Sequence, residues 1–212
     1  MKQSKIAVIG GTGKAGKYLV KQLLIQKFPI KILLRNPETF TLKNPLIEII
    51  KGDARDIETI RALVKGCDAV LSTSGQTKGE PVPIATQVTS NVIQAMRENS
   101  IQRYILVTGL NVDLPSDQKS ETTKMKTEWM RTNFPTFVAN RQAEYELLAK
   151  SELNWTLVRV PMIEESDERH TVKVDLYDCL GDLISTTDLA DFLIGQIADT
   201  AFWKKAPFIA NG

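Results

Sequence analysis

The apolar residues of this chain follow two patterns: short near-continuous runs, and longer stretches with about one apolar residue per helical turn. The runs at residues 5–9, 30–34, 47–51, 68–72, 104–107 and 155–160 read as strands. They are near-continuously apolar rather than strictly alternating, so they are expected to be buried on both faces, as in parallel sheets. Between them, residues 14–27 place Leu19, Val20, Leu23 and Leu24 on one face of a helix. Asp56 is positioned to cap a second helix, which buries Ile57, Ile60 and Val64 and stops at Gly66. Ile84, Val88, Val92 and Met96 repeat every four residues along a third helix over 84–99.

The second half is more irregular. Residues 111–120 are polar, contain Pro115 and read as a loop. A short helix with Met125 and Trp129 is expected over 122–132, and a longer one over 134–150. Residues 170–177 alternate like an exposed strand, and 207–210 offer a last strand. Thr186, Thr187 and Asp188 begin a helix expected to run through Asp199, with Leu189, Phe192, Leu193 and Ile197 inward. Strand–helix alternation with right-handed crossovers predicts an α/β fold, a doubly wound parallel sheet with strand order 3-2-1-4-5-6-7. No repeat, low-complexity tract or linker divides the 212 residues. A single domain is therefore expected, with residues 111–135 and 162–185 forming a small substrate lobe.

Composition narrows the class. With 42% hydrophobic and 25% charged residues, the chain reads as an ordinary soluble globular protein. A net charge of +2 argues against a dedicated nucleic-acid partner. No apolar run approaches the roughly 20 residues that span a bilayer. The first strand begins too early to leave room for a signal peptide, so a cytoplasmic location and no membrane association are expected. Cys67 and Cys179 show no metal-ligand spacing and read as buried thiols in a reducing compartment. Glu164, Glu165 and Asp167 read as hydrated loop acids, His170 as solvent-facing, and Lys119, Lys124, Lys126 and Arg131 as a solvated basic face.

The chemistry is concentrated at the start. Strand 5–9 runs directly into Gly10, Gly11, Gly13 and Gly16, and these into the first helix. Such a turn brings backbone close to a pyrophosphate and aims a helix N-terminus at it. The motif reads both as Gly11-x-Gly13-x-x-Gly16 and as Gly10-x-x-Gly13-x-x-Gly16. A P-loop is a poor alternative, because Tyr18 stands where its magnesium-binding hydroxyl residue belongs. At the end of the second strand, an acid would accept bonds from a ribose 2′-hydroxyl, but this chain has Arg35. A guanidinium instead forks onto a 2′-phosphate, and Lys14 adds a second positive charge, so NADP(H) is expected over NAD(H). The alternative for Arg35 is a solvated strand-end charge. Asp53 either meets the adenine amino group or serves as a loop residue.

With these residues in view, the chain resembles the atypical short-chain dehydrogenase/reductase superfamily. The glycine pattern, Arg35, Gly52-Asp53-Ala54, Ser72-Thr73-Ser74-Gly75, Val107-Thr108-Gly109 and the segment ending at Pro161 carry the resemblance. In size and layout it is similar to the biliverdin-IXβ reductase/flavin reductase and NmrA-like branches. The resemblance implies that Gly10, Gly11, Thr12, Gly13, Lys14, Ala15 and Gly16 hold the pyrophosphate, and Arg35 with Asn36 the 2′-phosphate. Asp53 and Ala54 would flank the adenine, with Thr73, Ser74 and Gly75 under the adenosine ribose and phosphates. Thr108 and Gly109 would border the nicotinamide ribose, and Pro161, Met162 and Ile163 the nicotinamide face.

The departure from the family matters as much as the match. The superfamily's Tyr-x-x-x-Lys pair falls on Phe137-Val-Ala-Asn140-Arg141. Phenylalanine has no proton to give, and arginine stays charged, although Arg141 is able to bind the ribose. Carbonyl–alcohol exchange, which needs a placed proton donor, is therefore disfavoured. Hydride transfer to a planar, conjugated small molecule such as a flavin, quinone or tetrapyrrole is favoured. Thr108 is a candidate for a hydroxyl near the reacting centre; its alternative is a strand-end residue bonded to backbone. The competing function is a regulatory protein that holds NADP(H) without turnover. A monomer or homodimer without a metal site is expected in either case.

Overall fold

The computed structural model describes residues 3–75 and 84–212. Its main sheet has eight strands: β1 (Ile6–Ile9), β2 (Ile30–Leu34), β3 (Ile47–Lys51), β4 (Ala69–Ser72), β5 (Arg103–Gly109), β6 (Asn154–Val160), β8 (Val172–Asp175) and β10 (Phe208–Asn211). They run in the order β3-β2-β1-β4-β5-β6-β10-β8. The first six follow the expected doubly wound order, and all their pairings are parallel. The seventh place goes to β10, which is parallel to β6, while β8 closes the edge antiparallel to β10. A second, two-stranded sheet pairs β7 (Met162–Glu164) with β9 (Leu183–Ser185).

The central strands are covered on both faces, as their largely apolar composition demands. One face packs under α2 (Ile57–Val64), α3 (Ala85–Glu98) and α5 (Pro135–Ala149), burying Ile60, Leu63, Val92, Met96 and Leu148 against Val70, Tyr104, Leu106 and Leu157. The other packs under α1 (Lys14–Ile25) and α6 (Thr186–Gly195), burying Leu19, Leu23, Leu189 and Leu193 against Val8, Ile32, Leu71 and Val158. Every residue of β1, β2 and β4 is buried, whereas the edge strand β3 has no buried residue. Asp56 caps α2 as expected, accepting from the N–H groups of Glu58 and Thr59, and Gly66 takes φ +74° behind its end. α4 spans Glu121–Asn133 and is capped by Ser120. Among the described residues, no helix is long and apolar enough to cross a membrane.

Two expectations need correction. α6 stops at Gly195 rather than Asp199, because the Arg103 guanidinium of β5 donates to the Gln196 carbonyl (2.8 Å) and takes up the helix end. Residues 170–177, expected as an exposed strand, reach the edge of the main sheet through β8. Lys119 is not part of a solvated face. Its side chain is buried, and its ammonium donates to the carbonyls of Leu110 (2.8 Å) and Val112 (3.3 Å) and to Asp113. His170 keeps 41% of its side chain exposed, close to the solvent-facing expectation. Cys67 and Cys179 are free and buried.

Candidate functional site

The carboxyl ends of β1, β2, β3 and β4 open onto a cleft of about 590 Å³. The β1–α1 turn supplies Gly10, Thr12, Gly13, Lys14 and Ala15 to it. Arg35, Asn36, Thr39, Asp53 and Ala54 come from beyond β2 and β3, and Thr73, Ser74 and Gly75 from beyond β4. Ile84 and Ile163 complete the wall. This is the switch point of a doubly wound sheet, where neighbouring crossovers diverge and leave room for a ligand.

The turn is built so that no side chain intervenes. Gly10 takes φ +80°, and a β-carbon there would stand 2.7 Å from the Ser74 nitrogen. The Gly10 carbonyl accepts from the Gly13 N–H (3.1 Å) and the Thr73 hydroxyl (3.2 Å), which ties the turn to the end of β4. Gly11 and Gly16 stand behind the lining: β-carbons there would meet the Ile32 side chain and the Gly10 carbonyl respectively. α1 begins after Gly13 with no side-chain cap and no acid in its first turn, whereas α2, α4 and α6 are capped by Asp56, Ser120 and Ser185. Its open N–H groups and positive dipole end suit a bridging pyrophosphate, so the residues present fit a dinucleotide.

At the far end of the cleft, Arg35 follows β2 directly. Asp53 accepts from the Arg55 backbone N–H (2.8 Å), Nε (3.0 Å) and Nη2 (2.6 Å). Arg55 in first place, with a further contribution from Arg35, holds the Asp53 carboxyl below the usual carboxylate range. Asp53 therefore lines the cleft, as the adenine reading requires, and also organises its own loop. Thr39 had not been singled out. It reaches the cleft on a single 3₁₀ turn (Pro37–Thr39), with its hydroxyl on the Asn36 carbonyl (2.8 Å), and the Asn-Pro dipeptide was the one sign of that turn.

At the other end, α5 places Phe137, Asn140 and Arg141 around a small pocket with Ser74, Gly75, Ile84 and Ala85. Phe137 and Arg141 thus both face the loop that follows β4. Arg141 lies over the Phe137 ring (5.5 Å to the centroid), donates to Glu144 (2.7 Å) and donates to the Ser74 carbonyl. Glu144 also accepts from Thr89 (2.8 Å), whose oxygen lies 3.3 Å from the Tyr104 hydroxyl. Glu144 and Thr89 were not anticipated; the spacing of three between Arg141 and Glu144 on one helix was the available signal. Tyr104 is fully buried, and burial first, then the Glu144 charge, pushes its ionisation well above the ordinary phenol range.

Other expected residues lie outside the linings of both pockets. Thr108, Gly109, Pro161 and Met162 do not line the cleft, although Ile163 does. Thr108 is buried, and its hydroxyl finds no hydrogen-bond partner among the described residues, nor does the Asn111 amide nitrogen. The backbone bond expected of Thr108 as a strand-end residue is therefore not made. Lys14 donates to the Ile163 carbonyl (3.3 Å), and further along the same helix Lys17 pairs with Glu165 and Lys21 with Asp167, each at 2.6 Å. Two of the three loop acids are thus paired rather than simply hydrated. Among the described residues, no group of His, Cys, Asp or Glu has the arrangement of a metal site.

Comparison with known proteins agrees with this geometry. A family model described as NAD(P)H-binding matches residues 10–200. The chain is 34% identical over 113 residues to an isoflavone reductase homolog, A622-like, of Nicotiana tabacum, covering 49% of this chain and 34% of that one. It spans 59% of another curated relative, so it is shorter than the relatives it matches. A short-chain dehydrogenase/reductase from Veillonella parvula, solved in complex with NADP, superposes with a TM-score of 0.80 at 18% identity over 99% of this chain and 95% of that one. The anaerobillin reductase ChuY from Escherichia coli O157:H7 superposes with a TM-score of 0.82 at 17% identity, over 98% and 97%. At these identities the structural likenesses establish the fold.

Proposed function

The chain belongs to the NAD(P)H-binding family, and we propose that it is an NADPH-dependent reductase of a planar small-molecule acceptor such as a flavin, a quinone or a tetrapyrrole-like compound. The cofactor, when bound, supplies hydride. The chain's own residues hold its phosphates and place the acceptor.

The observation that carries this reading is Phe137 beside the cleft, with Arg141 one turn on. Neither supplies a proton to a developing alkoxide. The nearby phenols do not replace the missing acid. Tyr104 is sealed in the core with its ionisation raised, and Tyr145 packs edge-on against Trp155 (6.2 Å). No Tyr, His or Cys lines either pocket among the described residues, and the Asp53 carboxyl is held ionised by Arg55. A conjugated acceptor suits this site because its reduced form spreads charge and takes its proton from solvent.

Arg35, with Asn36, favours NADPH over NADH, because a guanidinium binds a phosphate and accepts nothing from a hydroxyl. For the acceptor we assign residues 111–135 and 162–185. There Met162 is 72% exposed and Trp129 is 58% exposed, with Phe134 edge-on to Trp129 at 5.8 Å, offering apolar surface to a planar molecule. Arg141 and Thr108 remain the side chains proposed nearest the reacting centre, Thr108 because its buried hydroxyl has no described protein partner. The two free, buried thiols accord with a reducing compartment such as the cytoplasm.

The test is NADPH oxidation with free flavins, quinones and biliverdin. Steady turnover with at least one planar acceptor, and none with simple aldehydes or ketones, is expected. Phe137 also favours a second reading, a protein that reports the NADP+/NADPH ratio without turning cofactor over. Tight binding with no turnover across the panel supports that reading and overturns the first.

A further inference from the structure

We propose that Glu144, acting through Arg141, is a positioning residue that holds the segment leaving β4 against the glycine turn, so that cofactor affinity depends on a buried carboxylate that does not line the cleft. The proposal rests on the cofactor reading of the cleft and adds a residue that neither the glycine motif nor the departure at Phe137 identifies.

The geometry points there from several sides. Arg141 and Glu144 are both buried, with side-chain exposures of 7% and 4%. Taking two charges out of water is costly, and an apolar pair of similar volume packs about as well. The buried pair is thus better explained by where its hydrogen bonds end than by stability. One arm of Arg141 ends on the Ser74 carbonyl, and Ser74 lines both the large cleft and the small pocket. The Ser74 nitrogen is the atom a Gly10 β-carbon would strike at 2.7 Å, so Ser74 packs against the pyrophosphate turn with no slack. Thr73 is fastened from the opposite side, its hydroxyl on the Gly10 carbonyl at 3.2 Å.

Glu144 orients the guanidinium. One of its oxygens takes Arg141 Nη1 (2.7 Å), and the other takes the Thr89 hydroxyl of α3 (2.8 Å). α3 and α5 are clasped again one turn away, where the Thr86 hydroxyl donates to the Asn140 carbonyl (2.9 Å) and the Thr86 N–H to the Asn140 side chain (3.3 Å). The two helices thus form a fixed frame, and Arg141 is the strut from that frame to Ser74. Without Glu144, the guanidinium loses its orienting carboxylate and the Ser74 segment its fixed distance from Gly10. A cleft held open in its binding shape binds tighter because less ordering remains to be done on binding.

The experiment compares wild type with Glu144→Gln and with the paired replacement Arg141→Met/Glu144→Leu, which removes both charges together. Three quantities are read: the NADPH dissociation constant by fluorescence titration, the thermal midpoint, and amide hydrogen exchange in the peptide covering residues 73–75. Both variants are expected to weaken NADPH by about tenfold and to speed exchange at 73–75, with the paired variant melting close to wild type. If Glu144→Gln does not fold, the exchange rate at 73–75 in the paired variant carries the comparison, because Arg141 is itself proposed at the site. A folded variant with NADPH affinity within about twofold of wild type and unchanged exchange at 73–75 overturns the proposal. Wild type that binds no nicotinamide cofactor overturns the cofactor reading instead, and the exchange rates still decide whether Glu144 holds the segment.

Discussion

A β-carbon on Gly16 would stand 2.0 Å from the Gly10 carbonyl oxygen. That oxygen is already committed to the Gly13 N–H and the Thr73 hydroxyl, so it has nowhere to retreat. Gly16 is therefore what allows α1 to start directly beneath the turn. Gly16→Ala is expected to lower stability by about 1–3 kcal/mol through overpacking and to weaken NADPH by more than about tenfold. Urea denaturation and cofactor titration check the two effects separately.

Arg159 is the largest fully buried side chain, and sequence reasoning passed over it. Its guanidinium lies 3.5 Å from the Phe208 ring centroid, takes both oxygens of Asp117 (2.8 and 2.7 Å), and donates to the carbonyl of Ala206 (2.9 Å). It thereby fastens the loop after β5 to β6 and β10. Removing either partner deprives a buried charge of its nearest counter-ion, Lys119 standing farther from Asp117 at 3.8 Å. Arg159→Met or Asp117→Leu should each cost about 3–5 kcal/mol, whereas the double replacement should cost much less. A denaturation double-mutant cycle measures this; additive losses would show that the pair does not act as a unit.

Cys67 provides a pH-dependent check on packing. Burial, its largest influence, pushes the thiol up to about 11, so the folded chain keeps the proton that an unfolded chain loses near 9. The contribution from burying a neutral thiol is complete below pH 9 and is lost as pH rises from 9 to about 11. Folded protein should resist thiol labelling at about pH 8, and its denaturation midpoint should fall between about pH 8 and about pH 10.5 by more than that of Cys67→Ala. Equal falls in the two proteins would contradict the assignment.

The parts of the fold that sequence made legible are those where one local rule decides the outcome. Leu19, Val20 and Leu23 in α1 show their element through periodicity, the mostly apolar runs of β2 and β3 show theirs through composition, and Asp56 and Gly66 bracket α2 through capping chemistry. The glycine turn was legible because close backbone approach leaves few residue choices. Long-range bonds were not legible. Arg103 ends α6 from β5, 93 positions away in sequence, and Lys119 looks like any loop lysine until four neighbouring oxygens enclose it. The small β7–β9 sheet was missed because three-residue strands carry no measurable period. At the candidate site, the places of Arg35 and Phe137 beside the pockets followed from their positions after β2 and before β6, whereas Glu144 and Thr39 required the fold to bring them into place.

The central claim is that this cleft holds a phosphorylated dinucleotide and that Arg35 reads its 2′-phosphate. Titrating wild type and Arg35→Ala with NADPH and with NADH tests it most directly. Wild type should prefer NADPH by about tenfold or more, and Arg35→Ala should lose most of that preference while still binding NADH. Binding of neither coenzyme to wild type, or an NADPH/NADH ratio that the substitution leaves unchanged, would contradict it.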